Sequence, residues 1–155
     1  MAKKVSDEEC RKNYLNVCDL FKRVVPNSER FNVVYACGVD VGMSDFIVVR
    51  KTTYTYSSYA VGYDANTNEI AVLPIDIDLE NYGTPVYLPN EEIKKAKQSW
   101  LSKEITIRAD KLPKKYIQFV VQEQINEDGD NVVVCVKQNE EAKNFIAFFK
   151  EKYAK

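Results

Sequence analysis

The feature that most constrains this chain is its hydrophobic period, which changes twice. Tyr14, Val17, Cys18, Phe21 and Val24 recur at three- and four-residue steps, which puts them on one face of a helix. From residue 31 the apolar residues alternate instead, and Val33, Tyr35, Cys37, Val39 and Val41 fall on one side of an extended strand. The helical period returns with Ala142, Phe145, Ile146, Phe149 and Tyr153. A stripe written at one period cannot be buried at the other, so the order must be helix, strands, helix.

Local signals set the boundaries. Ser6-x-x-Glu9 is a capping box, and Pro26 with Asn27 and Ser28 stops the helix behind it, so the first helix spans 7–24. Phe46 to Val49 and the Tyr- and Thr-rich run 52–63 read as strands. The turn residues 64–68 then return the chain through a partner strand at 69–75. Residues 76–90 form an irregular connection with a short strand at Val86 and Tyr87. Asn90 is placed to cap a helix near 91–101, with Ile93, Ala96, Trp100 and Leu101 on its apolar side, and Ile105 and Ile107 start another strand. A second hairpin carries Ile117, Phe119, Val121 and Ile125 into a turn at 126–131 that contains Gly129, and returns through 132–136. Asn139 caps the last helix, 139–153, whose Lys150 and Lys152 suit its C-terminal turn.

The expected fold class is α+β. A single domain, 1–155, holds an antiparallel, strongly curved sheet or partly open barrel, mainly within 31–136, between an N-terminal and a closing C-terminal helix. With 45% hydrophobic and 29% charged residues, the composition is that of an ordinary globular domain. By element order, residues 31–153 resemble the pleckstrin-homology-like domains of bacteria, in which a C-terminal helix plugs a strand barrel. A cystatin-like sheet wrapped around one helix is the alternative. Lipid-binding members of the resembled family carry Lys and Arg across the first strand pair, whereas Arg50 is the sole basic residue between Phe31 and Arg50 here. The resemblance therefore implies a protein-interaction or scaffolding module, of a bacterium or phage, rather than a phosphoinositide binder.

Several chemistries are excluded or disfavoured. The chain has no histidine, so no Ser-His or Cys-His nucleophile pair can be built. Cys10, Cys18, Cys37 and Cys135 show no CxxC spacing. Cys10 and Cys18 stand about 12 Å apart along a helix, too far for a disulfide, while Cys37 and Cys135 can face each other across strands. Small apolar thiols in a reducing compartment are the ordinary reading. The formal net charge of −1 gives no global attraction to nucleic acid or an anionic membrane. No apolar leader or membrane-length apolar run is seen, so a cytoplasmic protein is expected. Phosphate loops and nucleophile elbows are also absent. We expect no enzyme, no cofactor and no metal, with carboxylate-dependent hydrolysis or carriage of a small apolar ligand as alternatives.

Two segments stand out as contact surfaces. Tyr54, Tyr56, Tyr59 and Tyr63 lie on one strand, with Tyr54 and Tyr56 on one face and Tyr59 and Tyr63 on the other. If a single face meets the core, the other exposes tyrosines suited to recognition. Residues 91–115 hold eight basic side chains against four acidic ones, and place Lys94 and Lys97 near Trp100. A solvated face with Trp100 in the core is the plain reading, and an acidic or phosphate-bearing partner the sharper one. Asp76, Asp78 and Glu80, and likewise Asn126, Asp128 and Asp130, alternate as calcium ligands can, yet such clusters are ordinary at strand ends and hairpin tips. The expected partner is another protein, a homodimer being open, rather than nucleic acid or membrane.

Overall fold

The computed structural model describes residues 4–38, 48–49, 52–53, 58–76, 79–101, 103–112, 115–126 and 134–153. Helix α1 (Asp7–Val24) is followed by strands β1 (Asn32–Gly38), β2 (Val48–Val49), β3 (Thr52–Thr53), β4 (Ser58–Asp64), β5 (Glu69–Ile75), β6 (Val86–Leu88), β7 (Lys95–Gln98), β8 (Ile105–Arg108) and β9 (Tyr116–Val120), and then by helix α2 (Asn139–Lys152). The described strands form a seven-stranded sheet in the order β6-β5-β4-β1-β9-β8-β7, with β2 and β3 paired separately. All these pairings are antiparallel. The chain is thus α+β as expected. Its sheet is not closed into a barrel and ends at β6 on one side and β7 on the other.

The two helices cover opposite faces. Tyr14, Val17, Leu20 and Phe21 of α1 pack with Val33 and Tyr35 of β1, Ala60 of β4 and Leu73 of β5. Phe145, Phe148 and Phe149 of α2 pack with the alternate residues, Val34 and Ala36, Tyr59, Val61 and Tyr63, and Val72, and reach Ile105, Ile107, Ile117 and Phe119. Central strands between two helical layers are buried on both sides, and every residue of β4 is buried. Side-chain size is divided to fit. The α2 face of β4 carries Tyr59, Val61 and Tyr63, while its α1 face carries Ser58, Ala60 and Gly62. At Gly62 an added Cβ would lie 2.4 Å from Cζ of Phe21, so α1 sits as close as it does because no side chain is there.

This double burial overturns one expectation. Tyr59 and Tyr63 stand on a strand with no open face, because both faces of β4 are covered. Tyr59 is 0% and Tyr63 6% exposed. The Tyr63 ring lies 5.4 Å from Phe145 and 4.6 Å from Phe148.

The second hairpin also differs. Strand β9 pairs with β8 and, at Cys37↔Val120 and Gly38↔Phe119, with β1. The returning segment forms no described strand. It instead makes an isolated bridge, Gln124↔Lys137, supported by Ile125 N donating to the Val136 carbonyl at 2.9 Å. Past Val120 the chain leaves β1, and the fully buried Gln138 fills the opening. Its Oε1 accepts from Tyr35 N at 2.8 Å, and its Nε2 donates to the carbonyls of Tyr35 at 2.9 Å and Gln122 at 2.8 Å. The Gln138 amide stands where a strand rung is missing. For the same reason it makes no cap bond to α2, which begins at Asn139 itself.

The segment 91–101 is not a helix. A single 3-10 turn at Asn90–Glu92 is followed by strand β7. Ala96, Lys and Gln are good helix formers, and their propensity yields here to pairing with β8. Across α1 and α2, Arg11 makes a bidentate pair with Glu141 at 3.1 and 3.0 Å and donates to the Lys137 carbonyl at 3.1 Å.

Two predictions follow from these contacts. Gln138→Leu keeps the volume but strands the Tyr35 N–H and two carbonyls; it should lower stability by about 2–4 kcal/mol in urea unfolding and speed amide exchange at Tyr35. The Arg11 guanidinium holds the Glu141 carboxyl below its ordinary 4.5 against a smaller opposing effect of burial. A depressed carboxylate stabilises the fold fully above its unfolded value and loses that contribution as pH falls through the folded one. The stability gap between the native chain and Glu141→Gln should therefore be full at neutral pH, shrink below about 4.5 and close in stronger acid, as read by melting temperature against pH.

Candidate functional site

The surface that stands apart is the end of the β7–β8 hairpin. Register pairs Lys95↔Arg108, Ala96↔Ile107, Lys97↔Thr106 and Gln98↔Ile105. The loop is closed by Ser99 N donating to the Glu104 carbonyl at 2.8 Å and Lys103 N donating to the Ser99 carbonyl at 3.0 Å. Lys103 takes a left-handed conformation, with φ of 66°, and the Gln98 side chain donates to its carbonyl at 3.3 Å. The first two loop residues are exposed. Those residues are Trp100 and Leu101, each 82% exposed.

Strand alternation sorts the neighbouring side chains. Ala96 turns inward and packs against the α2-side core, as does Ile93 just before the strand. Lys95 and Lys97 turn outward and are exposed. Lys94, at the base of the hairpin, pairs with Asp110 at 2.9 Å, and this hydrogen bond holds the Asp110 carboxyl below its ordinary value. Lys111 pairs with Glu92 at 3.0 Å and donates to the Tyr87 carbonyl at 2.8 Å. Arg108 lies over the Tyr116 ring at 5.6 Å. No carboxylate among the described residues forms an ion pair with Lys95, Lys97 or Lys103. The positive surplus read from the sequence is thus neutralised at the hairpin base and left open toward its tip.

Of the residues singled out in the sequence, Lys97 and Trp100 are brought together on this hairpin, with Lys94 at its base. Trp100 is a surface residue, contrary to the reading that put it in the core. Tyr59 and Tyr63 are core residues, and Tyr54 and Tyr56 lie outside the described residues. Leu101 is the exposed apolar residue that the sequence reading missed as a candidate. Its spacing from Ile93 and Ala96 mimics a helical stripe, and the signal against this was the alternation Lys95-Ala96-Lys97-Gln98 leading into Ile105 and Ile107.

The other candidates resolve locally. Asp76 closes its own loop by accepting from Glu80 N and the Asn81 side chain, each at 2.9 Å; Asp78 lies outside the described residues. Asn126 donates to the Val5 carbonyl at 2.9 Å and to Asp7 at 3.1 Å, tying the N-terminal segment to the sheet, while Asp128 and Asp130 lie outside the description. Among the described residues no three His, Cys, Asp or Glu side chains group closely enough to hold a metal ion. None of the four cysteines is in a disulfide, so Cys37 and Cys135 are not joined, and burial pushes the Cys10, Cys18 and Cys37 thiols up. No helix among the described residues is long and apolar enough to cross a membrane.

Compared with protein-family models, curated proteins and solved structures, the chain matches none.

Because Trp100 touches neither core cluster, Trp100→Ala should change folding stability by no more than about 0.5 kcal/mol in chemical denaturation. A loss above about 2 kcal/mol would make Trp100 a structural residue and remove it from the candidate surface.

Proposed function

We propose that the chain is a non-enzymatic protein-interaction module that docks another protein through the β7–β8 hairpin. The observation that carries this reading is the 82% exposure of Trp100 and Leu101 side by side on a reversal fixed by backbone hydrogen bonds. Tryptophan is among the residues that supply most of the energy at protein interfaces, and it does so by being desolvated against a partner. A rigid hairpin loses little conformational entropy when it docks. The exposed lysines 95, 97 and 103 add a positive rim, which suits a partner with an acidic surface around an apolar recess and favours selectivity and encounter rate. Four cysteines with no disulfide among them support a reducing, cytoplasmic setting.

A ligand-carrier reading has less support. Phe145 and Phe149, which would have to line an apolar pocket under α2, are fully buried against the sheet, with ring centroids 6.1 Å apart. Three grooves formed by described residues, all beside a helix, lie at the surface. One of about 670 Å³ runs between the starts of α1 and α2 and is lined largely by charged groups, including Arg11, Lys137 and Glu141.

Site-specific photo-crosslinking in cells tests the proposal. A photoreactive residue at position 100 is expected to form a discrete adduct with one protein. That adduct should be absent when the same residue replaces Leu15, which is 48% exposed on α1, and should weaken at least about tenfold with Lys97→Glu. Adducts that do not depend on position 100, or that survive charge reversal unchanged, would sink the proposal.

A further inference from the structure

We infer that the open edge of β7 receives an extended, acidic segment of the partner as an added strand, with Trp100 and Leu101 standing at the end of that strand. This inference rests on the hairpin being the docking surface and specifies how the surface would be used. Three observations on the same short strand converge on it.

The first is the direction of the backbone. In an antiparallel pair, residues that bond across a given edge alternate with residues that face the other way. Ser99 N donates to the Glu104 carbonyl, directly opposite it, so Lys97 is the next residue bonded toward β8. Ala96 and Gln98 therefore aim their N–H and C=O groups away from the sheet. Since β7 is the last strand in the order, nothing among the described residues pairs with that edge. An incoming strand would find donor and acceptor pairs already aligned.

The second is charge. Lys95 and Lys97 flank Ala96, and no described carboxylate forms an ion pair with them. A second copy of this chain pairing β7 with β7 in antiparallel fashion about Ala96 would set Lys95 against Lys97, and like charges directly opposite destabilise a ladder. Lysines on an edge are a known guard against such self-pairing. The guard has a sign, however, and a segment with Glu or Asp at alternate positions meets the two lysines as cross-strand ion pairs.

The third is the apolar end. If the lysines served only to keep the edge solvated, two large apolar residues with 82% exposure at the end of that strand would undo their effect. As part of a docking edge they have a place, covering the apolar side chains that alternate with the acids of the added strand. Single-stranded nucleic acid would also engage lysines and stack on Trp100. It would leave the outward amides of Ala96 and Gln98 unused, and this difference separates the two partners.

Trp100 is the sole tryptophan of the chain, so its emission reports on the tip while amide exchange reports on the edge. The probes are a short synthetic peptide alternating Glu and Val, the matching Lys and Val peptide, and the Glu and Val peptide N-methylated at every second residue. A single-stranded oligonucleotide completes the set. The Glu and Val peptide is expected to shift Trp100 emission and slow exchange at the Ala96 and Gln98 amides at least about tenfold. The other two peptides should do neither. Ala96→Pro removes an outward N–H without touching the β8 pairing, and should keep the melting temperature while losing protection at Gln98.

A shift in Trp100 emission without protection at 96 and 98 would overturn strand addition and leave docking at the tip standing. A response to the oligonucleotide alone would overturn both. No response to any probe would overturn the acidic strand, while an adduct crosslinked from position 100 would still uphold the docking surface.

Discussion

The sheet depends on a side-chain amide that stands in for backbone. Strand β1 lies where its two halves meet. On the β4 side its pairing is continuous from Asn32↔Tyr63 to Cys37↔Ser58, but on the β9 side it is confined to Cys37 and Gly38. The N–H and C=O of Tyr35, which is 1% exposed, would be orphaned where β9 departs, and buried orphans are costly. A primary amide carries two donors and an acceptor at one end. Gln138 uses all three, bonding Tyr35 twice and Gln122 once. Its own backbone starts α2, since Ala142 N donates to the Gln138 carbonyl at 2.8 Å. One residue thus seals the sheet and sets where the Phe145–Phe149 layer lands on it.

The position of the hairpin follows from that seal. Among the described residues, strands β8 and β7 pair with the rest of the sheet through β9, and β9 is held by two pairs to β1, by Gln138 bonding Gln122 just beyond it and by the α2 aromatics over Ile117 and Phe119. The α1 side is tied to the same point. Arg11 binds Glu141 and the Lys137 carbonyl, Asn13 donates to the Cys135 carbonyl at 2.9 Å, and the Tyr35 hydroxyl bonds Ser58 at 2.6 Å while accepting from Val134 N at 2.9 Å. Residues 134–138 are therefore held by both faces of the molecule. Ala96 and Ile93 anchor the near end of the hairpin in the α2-side core, and its far end stands clear of either helix's packing.

What the sequence made legible was what local periodicity can carry. Ser6 does cap α1, accepting from Glu9 N at 3.2 Å, and β5 spans the 69–75 that alternation and the preceding turn indicated. Pairing was less legible, because a pattern shows that a segment is extended without naming its neighbour. The run 117–125 looked like half of a hairpin with 132–136, yet β9 pairs with β8, which precedes it in the chain, and it is the end of the run that meets the returning segment, at Gln124↔Lys137. Layering was illegible for a related reason. The sheet has one face of small residues, Ala60, Gly62 and Ala71, and their smallness is a sign of close helix approach that resembles weak strand propensity. Gln138 reads as a surface residue, since nothing local announces that Tyr35 needs its amide. The candidate site suffered from the most ordinary confusion, in which Lys, Ala and Gln at 95–98 favour a helix in isolation and form a strand in context.

The contrast between tryptophan and tyrosine bears on where this chain meets its surroundings. Tyr35, Tyr59 and Tyr63 are all used inside, and burial pushes the Tyr35 and Tyr63 phenols up. The sole tryptophan is left outside, next to a leucine and on the same hairpin as exposed lysines. Taken separately, the lysines oppose association and the apolar pair invites it. Under the proposed docking they agree, since charge rejects a second copy of the chain and apolar area rewards the partner whose charge is opposite. A folding role does not account for the pair, because neither Trp100 nor Leu101 enters a core cluster. The placement of both on a hydrogen-bonded reversal, rather than on a free end, is what makes them a surface of defined shape.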